Sequence, residues 1–589
     1  MRSVNALPYY QKWLVMGILI GIAAGIGAII FYFALQYTSN LFLTDFVGTT
    51  VPNPVGEGGV AGYTYYTAYY YLIPVAAVIG GLIAGIIIYT FAPESEGHGT
   101  DTAISAFHNN DGKILRRTPI VKTIASAITI GSGGSGGREG PTALIAAGIG
   151  SWISDVFKLS DRDRRIAVLV GIGAGIGTIF KAPMGGAILA IEVPYLADFE
   201  TGAIFPAVIA SAVGYTIFGS MVGFQPLFGY YIGTFDPSRL PLYALLGLIT
   251  GLAAIAYVKT FYKLTDRFKR MKIPNHFKPA IGGLATGLIG LLFPEVLATG
   301  YGWVQILMNG SFNLLPTFGL PLLAILILLP IAKMVATSFS IGSGGSGGVF
   351  GPGMVIGASI GAAAGFVFHA LVPSLAPNVA PFVIVGMLAF FGAAGKVPIS
   401  VLIMITEMTG SLQLLPAAMT AVVFSYVVSG QKSIYRSQRP HRIPNTMKLA
   451  KVKLSRIKSD SISVSVDSRP RAVLAKMKKL NMYALPVVRG RKFVGIVYRS
   501  ALTGYRGYII EPLVVEDITP LDPYSDAEEA LELMMTKNAT WVPVSSGDRY
   551  IGLITLSSIM KEYEHTIRRN ASSNFLKTLI KRSKTGREL

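Results

Sequence analysis

The chain has 589 residues, of which 51% are hydrophobic and only 14% are Asp, Glu, Lys or Arg. Soluble domains carry about 25% charged residues, so this composition argues against a soluble enzyme. The absence of cysteine excludes disulfides, thiolate metal sites and cysteine nucleophiles. The net charge of +20 raises the question of a nucleic-acid partner, which the position of the basic residues must decide.

Apolar segments follow one another from the N-terminus to about Tyr435, and several are too short to cross a bilayer. A helix needs about 20 residues to span the roughly 30 Å hydrocarbon core. Short segments interrupted by glycine are typical of broken helices around an internal site. We therefore predict an all-α polytopic membrane domain whose first segment is an uncleaved helix rather than a signal peptide. The predicted segments are 13–34, 72–91, 143–156, 166–180, 240–258, 280–292, 320–335, 354–368, 380–394 and 414–428.

The composition changes after this region. From residue 448 onward, about 25 Lys and Arg stand against about 14 Asp and Glu. Four basic residues between Lys432 and Arg442 directly follow the last apolar segment, and the positive-inside rule places them in the cytoplasm. Anionic lipid head groups explain this basic collar, so no nucleic-acid partner is expected. We divide the chain into a membrane domain (1–436), a linker (437–449), a cytoplasmic pair of small domains (450–567) and a basic tail (568–589) that includes Lys577–Arg587.

A glycine-rich sequence occurs twice, 211 residues apart, as GSGGSGGREGP at 131–141 and GSGGSGGVFGP at 342–352. Corresponding glycine interruptions in two halves are typical of inverted repeats that share a site near the midplane. We expect the first repeat at about 10–220 and the second at about 240–436. A dinucleotide site would need a preceding strand and a following acidic residue, and a phosphate loop would need GK[ST]. Neither context is present.

Each glycine loop ends in Gly-Pro, and proline is tolerated in the first turn of a helix. A helix start exposes unpaired N–H groups and about +0.5 of partial charge. Two such starts that meet inside a membrane would bind an anion without a full positive charge. An anion bound in this way can leave again, which conduction requires.

The residues around the loops resemble the CLC family of chloride channels and chloride/proton exchangers. Residues 137–141 match the G-[KR]-E-G-P motif of that family, and residues 348–352 match G-x-F-x-P. The likeness continues through 181–183 (KAP), 191–192 (IE), 405–409 (ITEMT) and Tyr435. The resemblance implies a homodimer in the cell membrane with one chloride pathway in each subunit. No hydrolytic or redox active site is visible, so we do not expect an enzyme.

The resemblance implies that Glu139 is the gate. When ionised, its carboxylate would take the place of an anion, and when protonated it would swing away; the alternative is an ordinary capping carboxylate. Tyr435 is implied as the inner gate whose hydroxyl donates to the central anion, against an interfacial aromatic on residue type alone. Phe350 is expected at the pore, with core packing as the other interpretation. The backbone N–H groups expected in the anion sites belong to Glu139, Gly140, Val349, Phe350 and Gly351.

One departure from the family pattern concerns the central anion. The stretch 97–101 reads GHGTD where the family commonly has Gly-Ser-Gly-Ile-Pro, and that serine is associated with chloride over nitrate. Either His98 donates an N–H to the anion, or His98 caps the backbone and Thr100 is the donor. Asp101 stands in place of the proline; the sequence does not explain it, and a helix N-cap is the ordinary interpretation.

A second departure concerns protons. Val193 follows Glu192 at the position where proton-coupled members commonly carry a glutamate. A valine cannot relay a proton, although water chains could substitute for the carboxylate. We therefore predict channel-type or uncoupled chloride permeation gated by Glu139, with a proton-coupled chloride antiporter as the alternative.

Two similar units at 450–508 and 509–567 resemble a tandem pair of CBS domains, which can bind adenine nucleotides. Ribose-binding units usually carry Thr or Ser and then Asp three residues later, and the equivalents here are Tyr498 with Ala501 and Thr555 with Ser558. Because both aspartates are missing, we expect an α+β pair with a structural or dimer-stabilising role. Weak nucleotide binding remains the second interpretation, and with it a nucleotide-sensing regulatory protein. No other cofactor and no metal is expected.

Overall fold

The computed structural model describes residues 4, 7–59, 63–316, 318–441, 452–516, 518–537 and 539–562. The chain divides into two compact units, residues 1–442 and 443–589. Most of the predicted linker 437–449 and all of the basic tail 568–589, with Lys577–Arg587, lie outside the described residues.

The described part of the first unit consists of α-helices that fall into two halves of the same order. The first half comprises α1 (Tyr9–Ser39), α2 (Ile73–Phe91), α3 (Thr100–Asn109), α4 (Thr118–Gly131), α5 (Glu139–Val156), α6 (Asp161–Ile179), α7 (Pro183–Glu192) and α8 (Ile204–Val222). The second half comprises α9 (Leu240–Arg270), α10 (Lys278–Leu292), α11 (Tyr301–Met308), α12 (Leu322–Ser340), α13 (Phe350–Leu371), α14 (Ala380–Gly395), α15 (Pro398–Thr409) and α16 (Leu415–Ser429). Equivalent pairs pack in both halves, since α1 contacts α8 as α9 contacts α16, and α5 contacts α6 as α13 contacts α14.

Some helices are longer than the apolar segments predicted from the sequence, and others lie outside those segments. The first segment lies within the longer α1, and α9 continues past its apolar part to Arg270. Helices α3, α7 and α11 have 10, 10 and 8 residues and are too short to mark a membrane span, whereas α8 is long and apolar but is absent from the predicted segments. Among the described residues, the spans long and apolar enough to cross a membrane are Tyr9–Val47, Tyr70–Phe91, Thr201–Val222, Pro237–Arg270, Leu322–Ser340 and Phe350–Leu371.

Two buried lysines at equivalent positions fix the turns before the short helices α3 and α11. Lys122 of α4 donates to two carbonyl groups of the turn before α3, at 3.0 and 2.7 Å. Lys333 of α12 donates to two carbonyl groups of the turn before α11, at 2.9 and 3.2 Å. Each turn ends in a glycine with φ of 80°, Gly99 or Gly300, a left-handed conformation that favours glycine. The two turns are therefore built alike in both halves.

Two glutamates cap each other's helices across the boundary between the halves. Glu407 on α15 accepts two backbone N–H groups at the start of α7, at 3.0 and 2.8 Å. Glu192 at the end of α7 accepts two backbone N–H groups at the start of α15, at 3.1 and 2.7 Å, and also the hydroxyl of Ser400. The first N–H groups of a helix have no carbonyl within the helix, so these carboxylates satisfy donors that would otherwise be unpaired.

The first unit extends beyond the predicted boundary at residue 436. The amide of Leu196 donates to the carbonyl of Arg439 at 2.8 Å, and the amide of Ala197 donates to that of Pro440 at 3.1 Å. Residues 437–441 are thus joined to the loop after α7 by backbone hydrogen bonds, which composition alone does not reveal. The prediction that the linker begins at residue 437 differs from the structure in this respect.

The second unit contains two small hairpins of the same design. Strands β1 (Val464–Ser465), β2 (Ala484–Arg489) and β3 (Lys492–Tyr498) form one sheet, and β4 (Trp541–Ser546) pairs antiparallel with β5 (Arg549–Thr555). The register shifts at the same place in both hairpins, at 487/488 and at 544/545. The rings of Phe493 and Tyr550 stack with centroids 6.0 Å apart. Helices α17 (Pro470–Leu480), α18 (Arg499–Leu502) and α19 (Ala527–Thr536) complete the described elements.

The reciprocal capping predicts that Glu407→Ala lowers the stability of the first unit by about 1–2 kcal/mol, the usual cost of removing a helix cap. Glu407→Gln should cost less because its amide oxygen still accepts one of the two N–H groups. The measurement is thermal unfolding of the purified protein in detergent, with exposed Asp45→Ala as the control. Equal unfolding temperatures for Glu407→Ala and Asp45→Ala would contradict the capping role.

Candidate functional site

The two glycine loops meet and pair with each other. The amide of Gly137 donates to the carbonyl of Gly348 at 2.8 Å, and the amide of Gly348 donates to that of Gly137 at 2.6 Å, as an antiparallel bridge. The approach is close, because a methyl group added at Gly140 would collide with the carbonyl oxygen of His98 and lie 3.0 Å from Cα of Gly348. This pairing brings the N-termini of α5 and α13 together inside the unit.

Glu139 is the first residue of α5, and its side chain is 1% exposed. The hydroxyl of Tyr301 donates to Oε1 of Glu139, and the backbone N–H of Gly351 at the start of α13 also donates to the carboxylate. Oε2 has no hydrogen-bond partner among the described residues. The carboxylate therefore lies against the loops at 137 and 348, between two helix starts. A negative group at this place is stabilised by both helix dipoles.

Arg138 forms a buried ion pair beside the carboxylate. Its guanidinium donates to Glu57 at 2.5 Å and lies 5.1 Å from the centroid of the Tyr301 ring. Lys181 holds the loop that carries Glu57 by donating to the carbonyl of Gly56 at 2.8 Å. Because Arg138 is already paired, it supports the ring of Tyr301 without offering an unpaired charge to an anion.

His98, Thr100 and Tyr435 lie together on the other side of the loops. The rings of His98 and Tyr435 are 5.6 Å apart, and the side chain of Thr100 lies beside the Tyr435 hydroxyl. His98 is buried, and its Nδ1 has no hydrogen-bond partner in the described part of the chain. The structure thus brings together the three residues that the sequence predicts for the central anion.

Asp101 holds the segment that carries Tyr435. Its carboxylate accepts the backbone N–H of Ser437 at 2.7 Å and the Ser437 hydroxyl at 2.9 Å. Asp101 is the second residue of α3, and Gly99 is the N-cap, without a side-chain cap. The N-cap interpretation of Asp101 is therefore not what the structure shows. The carboxylate instead links the start of α3 to the chain after Tyr435.

A cavity approaches the site from each side. The His98 cavity, of about 350 Å³, is lined by 97–99, 341–344 and Arg436 among others. The Arg138 cavity, of about 140 Å³, is lined by 52–54, 298–299, Arg138 and Tyr301 among others. The turns at 97–99 and 298–299 are the equivalent turns before α3 and α11, so the two cavities occupy equivalent places in the two halves. Between them lie the paired glycine loops, Glu139 and Tyr435.

Phe350 contributes to the site through its position at the helix start rather than through its ring. It is the first residue of α13, as Glu139 is of α5. Its ring is buried 4.0 Å from that of Phe391 and 5.1 Å from that of Phe180. The carbonyl of Val349 accepts the hydroxyl of Tyr257 at 3.2 Å. Of the three N–H groups that the sequence predicts at this helix start, the one of Gly351 reaches the carboxylate.

Val193 lies in the hydrophobic core at the end of α7. It follows the last residue of α7, its side chain is fully buried in the hydrophobic core, and its carbonyl accepts an N–H of Gln438 at 3.0 Å. The neighbouring Glu192 is the cap of α15 described above. The stretch at which proton-coupled members carry a relay glutamate therefore holds an apolar side chain, Val193, next to a carboxylate, Glu192, that caps a helix.

The predicted nucleotide residues lie in the second unit at equivalent strand ends. Tyr498 ends β3 and packs against a buried cluster that contains Trp541 and Leu553. Thr555 ends β5, and its hydroxyl lies 2.7 Å from that of Ser558, whose amide donates back to Thr555 at 3.2 Å. The Thr555 and Ser558 side chains thus bond each other locally.

No sequence motif marks Tyr301 or the pairing of Arg138 with Glu57. Glu57 is 81 residues from Arg138, and no short motif links them. Alignment of the two halves could have pointed to Tyr301, because 298–301 (ATGY) precedes α11 as 97–100 (GHGT) precedes α3. One shared glycine is too little to align the two turns without the helices around them.

Comparison with known proteins identifies both units. A family model described as voltage gated chloride channel matches residues 80–430, and the CBS domain model matches 454–507 and 510–565. An uncharacterized protein of Methanocaldococcus jannaschii is 29% identical over 440 residues, which cover 74% of this chain and 98% of that protein. The voltage-gated ClC-type chloride channel ClcB of Salmonella typhimurium is 28% identical over 430 residues, covering 72% and 98%.

Solved structures show the same fold. A slow cyanobacterial Cl⁻/H⁺ antiporter matches with a TM-score of 0.60 at 23% identity, over 73% of this chain and 96% of that chain. A eukaryotic CLC transporter matches with a TM-score of 0.58 at 18% identity, over 93% and 98%. The predicted architecture, an all-α membrane domain of two inverted repeats followed by an α+β CBS pair, is confirmed.

The tight contact of the loops predicts that Gly140→Ala destabilises the first unit, because the added methyl group meets backbone atoms of His98 and Gly348. Overpacking of this kind costs about 1–3 kcal/mol. Gly136→Ala is the matched control in the same loop, since its methyl group would first meet a side-chain atom of Ile341 at 3.1 Å. Thermal unfolding in detergent should give a clearly lower temperature for Gly140→Ala, and equal values for both variants would refute the contact.

Proposed function

Because this chain belongs to the voltage-gated chloride channel family, we propose that it conducts chloride across a membrane along a path that Glu139 gates, without proton exchange. The observation that carries the proposal is the position of the Glu139 carboxylate between the starts of α5 and α13. Its Oε1 atom is held by Tyr301, while Oε2 has no described hydrogen-bond partner. A carboxylate held by so few bonds can be exchanged for a free anion.

Gating follows from the charge of this group. While ionised and in place, the carboxylate uses the N–H group of Gly351 and the dipoles of both helices, so a second anion is repelled. Protonation removes the charge that these donors stabilise, and the side chain then leaves the site. Chloride takes its place and is held by neutral donors, which bind weakly enough to release it.

The absence of proton exchange is supported by the residues around Val193. A second proton site on the His98 side would need a carboxyl group that is free to take up and release a proton. Glu192 accepts three hydrogen bonds from the start of α15, and Asp101 accepts two from Ser437. Both groups have structural partners, Glu96 in the lining of the His98 cavity accepts the hydroxyl of Tyr89 at 2.6 Å, and Val193 itself has no proton to give.

His98 is the residue we propose to set the preference among small anions. Its Nδ1 is buried without a described partner, and its ring lies 5.6 Å from that of Tyr435. In the tautomer that carries a proton on Nδ1, this group would donate to the central anion together with the Tyr435 hydroxyl. The family resemblance associates a serine at this position with chloride over nitrate, so with His98 in its place chloride and nitrate are expected to be discriminated less strongly.

We further propose that the chain is a homodimer in the cell membrane, with the CBS pair in the cytoplasm. The basic residues Lys432, Arg436 and Arg439 after α16 support this orientation. Exposed apolar residues on α8 and α16, such as Val208, Val423 and Val427, suit a lipid or subunit contact. We assign the CBS pair a structural role, because the hydroxyl groups of Thr555 and Ser558 bond each other.

Uncoupled permeation predicts a reversal potential that does not depend on protons. With purified protein in a lipid bilayer and equal chloride on both sides, a tenfold proton gradient should leave the reversal potential at zero. Glu139→Gln should conduct at every pH, because the amide cannot ionise, and its current should lose the pH dependence of the unmodified protein.

Two outcomes would contradict this function. A shift of the reversal potential with the proton gradient would mean chloride/proton exchange, and protons would then cross by a route that avoids Val193. A pH-dependent current that persists in Glu139→Gln would remove Glu139 as the gate. Glu562→Gln in the second unit, far along the chain from α5, serves as the control substitution.

The role of His98 predicts that His98→Ser raises selectivity for chloride over nitrate. The substitution replaces a ring N–H with a compact hydroxyl donor. Since one hydrogen bond to an anion is equivalent to about a tenfold change in affinity, we expect a change of about tenfold in the chloride-to-nitrate permeability ratio. The bi-ionic reversal potential with chloride on one side and nitrate on the other measures this ratio. An unchanged ratio in His98→Ser would assign the donor role to Thr100 instead, and Thr100→Val is the comparison.

A further inference from the structure

The turns before α3 and α11 are equivalent, and this equivalence pairs Thr100 with Tyr301. Each turn is held by a lysine, ends in a glycine with φ of 80°, and is followed at once by the first residue of the short helix. The first residue is Thr100 in one half and Tyr301 in the other. Both carry a hydroxyl group, and both lie close to the paired glycine loops.

The two hydroxyl groups reach equivalent places in the path. Thr100 lies beside the Tyr435 hydroxyl, and its chain neighbours Gly99 and Asp101 line the His98 cavity. Tyr301 lines the Arg138 cavity and donates to Oε1 of Glu139. One hydroxyl is thus placed at each end of the site, and the one of Tyr301 contacts the group that we propose to exchange with chloride.

We propose that Tyr301 is a ligand of the outer anion site, donating to the Glu139 carboxylate in this conformation and to the chloride ion that replaces it. The inference rests on the proposed gating role of Glu139 and adds a side-chain donor to a site otherwise built from backbone N–H groups. Tyr301 also lines the Arg138 cavity, so its hydroxyl joins that cavity to the Glu139 carboxylate.

The surroundings of Tyr301 keep its hydroxyl in place when the carboxylate leaves. Its ring lies 6.2 Å from that of Phe180 and 6.4 Å from that of Phe228, and the guanidinium of Arg138 lies 5.1 Å from its centroid. Arg138 is itself fixed by Glu57 at 2.5 Å. The phenol is therefore held by contacts that do not include Glu139, and its hydroxyl is available to the next anion.

The direction of the effect on gating follows from what the hydroxyl stabilises. It donates to the ionised carboxylate, so it favours the closed arrangement of the gate. Without it, the carboxylate is held less strongly and is protonated and released at a lower proton concentration. Tyr301→Phe removes the hydroxyl and keeps the ring that Phe180 and Arg138 contact.

The first experiment measures chloride current against the pH on the side of the Arg138 cavity. We expect the pH of half-activation to rise by about one unit in Tyr301→Phe, since a hydrogen bond to a charged group accounts for a shift of that size. The matched control is Tyr243→Phe, which removes the hydroxyl of another buried tyrosine, 5.1 Å from the ring of Phe382 and outside the site. Its pH profile should be unchanged. Tyr301 replaced by 3-fluorotyrosine, a stronger donor, should move the half-activation to lower pH.

The second experiment measures chloride binding where the carboxylate no longer competes. In the Glu139→Gln background, titration calorimetry should give a Kd for chloride that is about tenfold higher with Tyr301→Phe than without it. Tyr243→Phe in the same background should leave the Kd unchanged. An equal Kd with and without the Tyr301 hydroxyl would overturn its role as an anion ligand.

The outcomes separate this inference from the function on which it rests. If Glu139→Gln keeps the pH dependence of the current, the gating proposal fails whatever Tyr301 does. If Glu139→Gln removes the pH dependence while Tyr301→Phe and the fluorotyrosine variant leave the half-activation where it was, Glu139 is the gate and the inference about Tyr301 is wrong.

Discussion

A helix that begins inside a membrane must find acceptors for its first N–H groups, and the first unit is organised around this requirement. The helices α5 and α13 begin at paired glycine loops, where the side-chain-free backbones of Gly137 and Gly348 hydrogen-bond to each other. The pairing leaves the two helix starts facing one place. A negative group fits there, and the Glu139 carboxylate occupies it. Everything that we propose for anion passage depends on these donors remaining together.

The same requirement is met differently at α7 and α15. Glu407 and Glu192 each accept two backbone N–H groups of the helix in the other half, and Glu192 accepts a hydroxyl as well. Glu407 and Glu192 stay in place because a movement of either side chain would break its hydrogen bonds to the helix N–H groups. Glu139 has one oxygen without a described partner, so less is lost when it leaves. Residue type alone does not separate a cap from a gate; here the two differ because both oxygens of each capping carboxylate accept a helix N–H group, whereas Oε2 of Glu139 has no described partner.

The sequence predicts the features that are encoded locally. The two glycine loops, the Glu139 motif and the group of His98, Thr100 and Tyr435 follow from short motifs, and the structure brings these residues to one region. The short helices α3 and α11 are absent from the predicted segments because, with 10 and 8 residues, they are too short to mark a membrane span. The equivalence of the two turns is hidden because 97–100 and 298–301 share only one glycine.

Long-range contacts were also beyond the reach of the sequence. Glu57 is joined to Arg138 and Asp101 is joined to Ser437, which lies 336 residues away. Neither pair has a motif, because an ion pair or hydrogen bond between distant segments needs only compatible groups in space. The end of the first unit was misplaced for the same reason, since backbone hydrogen bonds near Arg439 leave no trace in composition.

Two halves that enter a membrane in opposite directions would, if identical, form a path that is the same from either face. Two of the departures from that symmetry contact each other across the halves, because Tyr301 donates to Glu139. The first residue of α5 is Glu139 while the first residue of α13 is Phe350, and the first residue of α3 is Thr100 while that of α11 is Tyr301. The Glu139 carboxylate and the Tyr301 hydroxyl that donates to it therefore have no counterpart at the equivalent positions of the other half. Equal and opposite driving forces meet different energy barriers along a path whose two ends carry different groups, so the gating that we propose implies a current that rectifies.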